Sequence, residues 1–180
     1  MPVYNDVPTI DYFPSPEMAV RPLYEDLGIT SLLDVGAGRG GVFDMACWDW
    51  RRMERKEACD LTWLRDMPDD WHQMTGVDVQ RLTQFYKPKS FDMVQCMEVL
   101  EHVPNTRKAL EELCKVARKF VLISSGDEEH HRGHEQTAIE KVNPAQKYIG
   151  QPAISDLREL GFIVRVTSYN RRQIVAWRKF

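Results

Sequence analysis

The sequence predicts an α/β layered fold built on a mostly parallel sheet, and three observations carry that expectation. Apolar runs of strand length alternate with stretches of helical periodicity along most of the chain. A glycine-rich string, Gly36 to Gly41, stands between the first apolar run and the stretch that follows it. The chain closes on two strand-like runs joined by a short turn, and such a pair must be antiparallel. With 180 residues, 43% of them hydrophobic, the chain is expected to form one domain over residues 1–180 with a real core.

Residues 1–14 carry Pro2, Pro8 and Pro14 with Tyr4, Tyr12 and Phe13, and read as an ordered arm. A leading helix over 15–28 is expected, with Ser15 as N-cap, Pro16 in the first turn and Gly28 as the stop. Ser31 to Val35 reads as a buried strand entering the glycine turn. Val42 to about Arg55 has helical spacing (Val42, Met45, Ala46, Trp50, Met53). Ala58 to Asp60 is a short second strand, Leu61 to Trp71 a short or broken helix limited by Pro68, and Gln73 to Val79 a third strand. Phe91 to Met97 is a strongly apolar fourth strand. A helix capped by Asn105 or Thr106 runs to about Arg118, and Phe120 to Ser124 is the fifth strand. Ile154 to Leu160 is a helix ended by Gly161. Phe162 to Tyr169 and Gln173 to Arg178 are the closing strands.

Composition removes several classes. Acids number 27 and bases 24, a net charge of −3, so there is no overall electrostatic footprint for nucleic acid, and no such partner is expected. No apolar run reaches the roughly 18 residues of a membrane span. Met1 to Asp11 lacks the basic-then-apolar pattern of a secretion signal, and a cytoplasmic location is expected. Cys47, Cys59, Cys96 and Cys114 have no CxxC spacing and are expected as buried, reduced thiols.

The glycine string satisfies both GxGxxG (Gly36, Gly38, Gly41) and GxGxG (Gly36, Gly38, Gly40). Glycines there let the backbone turn tightly and approach a ligand. Alone, the string fits a nicotinamide dinucleotide as well as S-adenosylmethionine (SAM). Asp34, two residues before Gly36, suits the sulfonium and amino group of SAM better than a pyrophosphate.

At Leu32-Leu33-Asp34-Val35-Gly36-Ala37-Gly38-Arg39-Gly40-Gly41 the sequence resembles the class I SAM-dependent methyltransferase family, with a good likeness over about residues 30–125. The resemblance implies a Rossmann-like, mostly parallel sheet of seven strands or slightly fewer, with an antiparallel closing strand. It implies SAM as cofactor, held at Asp34, Gly36, Ala37, Gly38 and Gly40. It also implies an acid on the ribose hydroxyls at the second strand end, matched by Asp60 with Glu57 as competitor. An acid near the adenine amino group at the third strand end is matched by Asp78. A rival alignment makes Asp78 the ribose ligand. Val79 and Met97 are expected beside the cofactor as well.

Cys96-Met97-Glu98-Val99-Leu100-Glu101-His102-Val103 follows the fourth strand, at the sheet edge where open α/β folds bind ligands. In a helical turn Glu98, Glu101 and His102 would project from one face, a pattern that suits a divalent metal. The string is similar to one in the metal-dependent O-methyltransferases of ubiquinone biosynthesis and in the small-RNA 3′-end methyltransferases. That likeness implies a divalent ion such as Mg²⁺, which would chelate two adjacent hydroxyls and lower the pKa of one. Similar strings also occur in methyltransferases without a metal, where these residues anchor loops.

The fifth strand leads into Asp127 to Glu135, which holds His130, His131 and His134. His131 is a candidate further metal ligand. His102, His130, His131 and His134 are candidate bases for a hydroxyl proton. A solvated polar lid is the competing reading for that loop. No Asn-Pro-Pro-Tyr or Asp-Pro-Pro-Tyr string is present, so methylation of DNA base amines is not expected. No large insertion supplies a recognition domain, so the acceptor should be small or bound on an open surface.

The function expected from the sequence is O-methylation of a small catechol-like or vicinal-diol acceptor with metal assistance. The alternatives are a metal-independent small-molecule methyltransferase, an RNA-end methyltransferase, and a nicotinamide-dependent oxidoreductase.

Overall fold

The computed structural model describes residues 6–11, 20–38, 53–62, 64, 69–127, 149–168 and 173–180. Its strands are β1 (Thr9–Ile10), β2 (Ser31–Val35), β3 (Arg55–Asp60), β4 (His72–Thr75), β5 (Phe91–Met97), β6 (Ala117–Ser125), β7 (Ile163–Thr167) and β8 (Ile174–Lys179). Two α-helices are described, α1 (Thr106–Val116) and α2 (Ile154–Glu159), with short 3₁₀ turns between elements. The strands form one sheet in the order β1-β7-β8-β6-β5-β2-β3-β4. Strand β8 runs antiparallel to β6 and β7, and every other pairing is parallel. The expected mostly parallel sheet with an antiparallel closing strand is present. The arm adds a two-residue edge strand, β1, beside β7.

The central strands read as unbroken apolar runs because both of their faces are covered. In β5 every residue from Phe91 to Cys96 is buried. One sheet face carries Leu33, Val94, Val121 and Ile123 against Leu110 and Leu113 of α1, Leu157 of α2 and Leu82 of a 3₁₀ helix. The other carries Leu32, Met93, Phe120 and Trp177 against Val20 and Tyr24. Tyr24 and Phe120 meet with ring centroids 5.2 Å apart. Each such buried large side chain contributes about 1.5–3 kcal/mol of transfer free energy. Helix α1 starts where the Asn105 side chain accepts from Lys108 N at 3.0 Å, and it passes straight into β6 at Ala117.

The structure corrects several sequence expectations. The described part of the leading helix, residues 20–27, is mostly two 3₁₀ turns, with Pro22 in the first and no N–H there to extend an α-helical ladder. Residues 12–19 and 39–52 lie outside the described residues, so most of the helix expected over 42–55 does too. Arg55, its expected last residue, opens β3, which is longer than the strand expected at 58–60. Strand β4 stops at Thr75 because Gly76 adopts φ +77°. Cys59, Cys96 and Cys114 are free and buried, as expected. Burial pushes the Cys59 thiol up to about 12, which makes it a poor nucleophile.

This order places a topological switch point at β2. From β2 the chain builds outward through β3 and β4, then returns to lay β5 on the other side. The crevice at the carboxyl ends of β2, β3 and β5 is where such sheets take ligands.

Candidate active site

A cleft opens at that switch point, and Gly36, Gly38, Asp60, Asp78, Glu98 and His102 are among the residues lining it. The glycine turn forms its floor. Gly36 N and Ala37 N both donate to Cys59 O, at 2.7 and 3.1 Å, which folds the turn back over the end of β3. Gly36 has φ +75°, and a Cβ there would overlap the Val99 side chain. Glycine is therefore required at Gly36 both for backbone conformation and for space.

Asp60 ends β3 and grips the turn. Its Oδ2 accepts from Gly38 N at 3.1 Å, and its Oδ1 accepts from Thr62 N and Thr62 Oγ1 at 2.9 and 3.1 Å. Its rival Glu57 is buried lower on the same strand and takes the Arg55 guanidinium at 2.6 Å, away from the cleft. Asp78 lies three residues beyond the end of β4. There it caps the 3₁₀ helix Val79–Gln84 by accepting from Gln80 N at 2.9 Å. Gln80 joins two walls of the cleft. Its Nε2 donates to Asp78 Oδ1 at 3.2 Å, and its Oε1 accepts from Asn105 N at 3.2 Å, just before α1. Sequence reading passed over Gln80. Its only signal was its place two residues after an acid, as in an Asx turn.

Of the remaining expected cofactor residues, Val79 lines the cleft. Asp34 is buried inside β2, in register with Ala58 and Gln95, and Ala37 and Met97 pack into the second core face. Gly40 lies outside the described residues.

The Glu-x-x-Glu-His string does not form the expected helical face. Glu98 has φ +54°, in the left-handed region, and only Leu100–His102 forms a turn, of 3₁₀ type. The break leaves the Glu98 and Glu101 carboxyls side by side at Gly126 N rather than on one helical face with His102. Glu98 and His102 line the cleft. Glu101 is 1% exposed and points to the end of β6, where its carboxyl accepts from Ser125 Oγ at 3.1 Å and, more weakly, from Gly126 N at 3.5 Å. The Glu98 oxygens accept from Ser124 Oγ at 2.6 Å, Gln173 Nε2 at 2.7 Å and Gly126 N at 3.1 Å. Burial, and then the Glu98 carboxylate beside it, holds the Glu101 carboxyl well above the usual carboxylate range. Among the described residues no three metal-ligating side chains converge. His130, His131 and His134 lie outside them.

Comparison with known proteins agrees with this fold. Residues 10–147 match the methyltransferase domain family. No curated protein sequence matches the chain. A SAM-dependent methyltransferase from Archaeoglobus fulgidus superposes with a TM-score of 0.56 at 16% identity, covering 92% of this chain and 95% of that one. The magnesium protoporphyrin IX methyltransferase of Synechocystis PCC 6803, solved with S-adenosylhomocysteine (SAH), gives 0.55 at 18% identity, covering 91% and 81%. The CurJ carbon methyltransferase gives 0.62 at 13% identity, and this chain, covered over 89%, spans half of that one, 50%. The chain belongs to the methyltransferase domain family, and its fold is that of the class I SAM-dependent methyltransferases. No described helix is long and apolar enough to cross a membrane.

Proposed function

We propose that the chain binds SAM in this cleft and moves its methyl group to a hydroxyl of a small, neutral acceptor, catechol-like or vicinal-diol in type, with His102 as the base. One observation carries the reading. The switch-point cleft brings together the glycine turn, three carboxylates (Asp60, Asp78 and Glu98) and one imidazole, and none of its described lining residues is lysine or arginine. That field favours a cationic cofactor and a neutral acceptor over a phosphate or carboxylate. It supports neither the RNA-end reading nor a dinucleotide pyrophosphate.

In the proposed step the acceptor oxygen attacks the methyl carbon in line with the carbon–sulfur bond. The new carbon–oxygen bond takes its electrons from the oxygen lone pair. The departing pair returns to sulfur, and the sulfonium becomes the thioether of SAH. The hydroxyl proton passes to the His102 imidazole. Asp60 is assigned to the ribose hydroxyls because it ends the strand next to β2, and Asp78, one strand further out, to the adenine end.

A divalent ion, when bound, would chelate adjacent hydroxyls and acidify one of them. Glu98, Glu101 and His102 do not fit that role as a set, because Glu101 is turned into the β6 end and Glu98 is occupied by three donors. No step is routed through a metal.

The test is calorimetry with SAM, followed by methyl transfer from SAM to catechol with and without EDTA. SAM binding, transfer that survives EDTA, and a His102→Ala variant about 100-fold slower with unchanged SAM affinity are expected, in line with typical general-base contributions. Binding of NAD(P) without SAM would sink the reading, and transfer abolished by EDTA would restore the metal.

A further inference from the structure

Glu101 makes contacts that its absence from the cleft wall does not explain. Its backbone carbonyl accepts from Ile149 N at 2.7 Å and from Gly150 N at 3.1 Å. Its carboxyl reaches the other way, to Ser125 Oγ and Gly126 N. The two segments so collected also bond to each other, through Gln151 Nε2 and Ser125 O at 3.0 Å. Glu98 gathers the same β6 end through Ser124 Oγ and Gly126 N, and adds Gln173 just before β8. Glu98 also holds a left-handed backbone, a conformation that costs an ordinary residue about 1–2 kcal/mol and persists only where surrounding contacts over-determine it.

We propose that Glu101 is a positioning residue. It ties the end of β6 and the segment 149–151 into one unit and sets that unit, with Glu98, beside His102 at the cleft. Its consequence for catalysis rests on the reading of the cleft as a methyltransferase site, whereas the clasp itself does not. The geometry gives each part of the residue a separate task. The carboxyl holds residues 125–126, the carbonyl holds 149–150, and the 3₁₀ turn between them carries His102 on its last position. A change on either side of the clasp is then felt on the other and at the imidazole.

The two sides can be cut separately. Glu101→Leu deletes the bonds to Ser125 and Gly126 but keeps the carbonyl that receives Ile149 and Gly150. Glu101→Gln keeps an acceptor and a donor in the same place. Gln151→Leu cuts the link from the far side. Amide hydrogen exchange on the full chain reads the result. In Glu101→Leu the protection of Gly126, Ile149 and Gly150 should fall together by about tenfold, with Val94 and Val121 unchanged, and Glu101→Gln should restore it. Gln151→Leu should loosen Gly126 without touching Glu101, and it serves as the test if Glu101→Leu fails to fold. SAM affinity by calorimetry should stay within about threefold, while the KM for catechol rises about tenfold in Glu101→Leu. Continued protection of Ile149 and Gly150 in Glu101→Leu overturns the clasp, as does equal loss at Val94 and Val121 or a parallel loss of SAM affinity. If the unaltered protein leaves catechol unmethylated, the acceptor assignment fails while the exchange data still judge the clasp.

Discussion

The two ends of the sheet treat their acids in opposite ways. At the amino end Asp92 is fully buried and surrounded by donors and cations. Thr30 N and Thr30 Oγ1 donate to one oxygen at 3.0 and 3.1 Å, Arg118 reaches the other at 2.6 Å, and Lys119 stands 3.3 Å away. Burial alone would raise its pKa, but these bonds outweigh it and hold the carboxyl below the ordinary range. At the carboxyl end Asp60 and Glu98 accept from backbone amides, hydroxyls and a glutamine amide, and among the described residues the cation that reaches Asp78 is Arg81, at 4.0 Å. The amino end neutralises its charge internally and is finished as structure. The carboxyl end keeps a negative field over a cleft, which costs stability and serves a cationic ligand.

The largest expected effect belongs to the carboxyl end. Gly36→Ala adds a Cβ at a positive φ and drives it into Val99. The backbone penalty and the overpacking together should cost about 3 kcal/mol, mostly by displacing the turn from Cys59 O. Calorimetry should show SAM affinity down at least about 100-fold. Affinity within a few-fold of the parent would mean that the cleft floor is not the glycine turn.

At the amino end Asp92→Asn should do the reverse, lowering stability by about 1–3 kcal/mol while leaving SAM affinity untouched. The sign with pH follows from a depressed native pKa. The contribution is whole above the unfolded value of about 3.9 and is lost as pH falls through the native value. The gap in unfolding free energy between the two proteins should therefore be flat near neutrality and shrink below about pH 4. A gap that widens in acid would show that Asp92 is not the stabilising ion of this edge.

Much of this contrast was legible in the sequence, but unevenly. The β2 and β5 runs were read with their observed ends, because strands buried on both faces write themselves as continuous apolar stretches. Asp60 was legible as the end of the second strand, where the family resemblance implies an acid, and it does end β3. The Glu98–His102 string misled because spacing specifies a face only if the backbone is helical, and Glu98 is not. Its donors, Ser124, Gly126 and Gln173, lie on β6 and the approach to β8, far away in sequence, so nothing local announced them. The charge clamp on Asp92 was invisible for the same reason, since Thr30, Arg118 and Lys119 reach it only once β2, β5 and β6 are side by side.

Asp60→Asn is the mildest change and separates the two ends most finely. Asparagine keeps the shape and one acceptor oxygen, so either the bond from Gly38 N or the pair from Thr62 survives, and thermal stability should stay within about 1 kcal/mol of the parent. What it removes is the charge and the second acceptor, the two properties a ribose diol facing a carboxylate would use. SAM affinity should fall by about tenfold, equivalent to 1.4 kcal/mol. Asp78→Asn, at the adenine end, should lose less, because one bond from an amino group is at stake there against two from a diol at Asp60. Isothermal titration of both variants decides the order. A larger loss for Asp78→Asn would exchange the two assignments and move the ribose one strand outward, onto the end of β4.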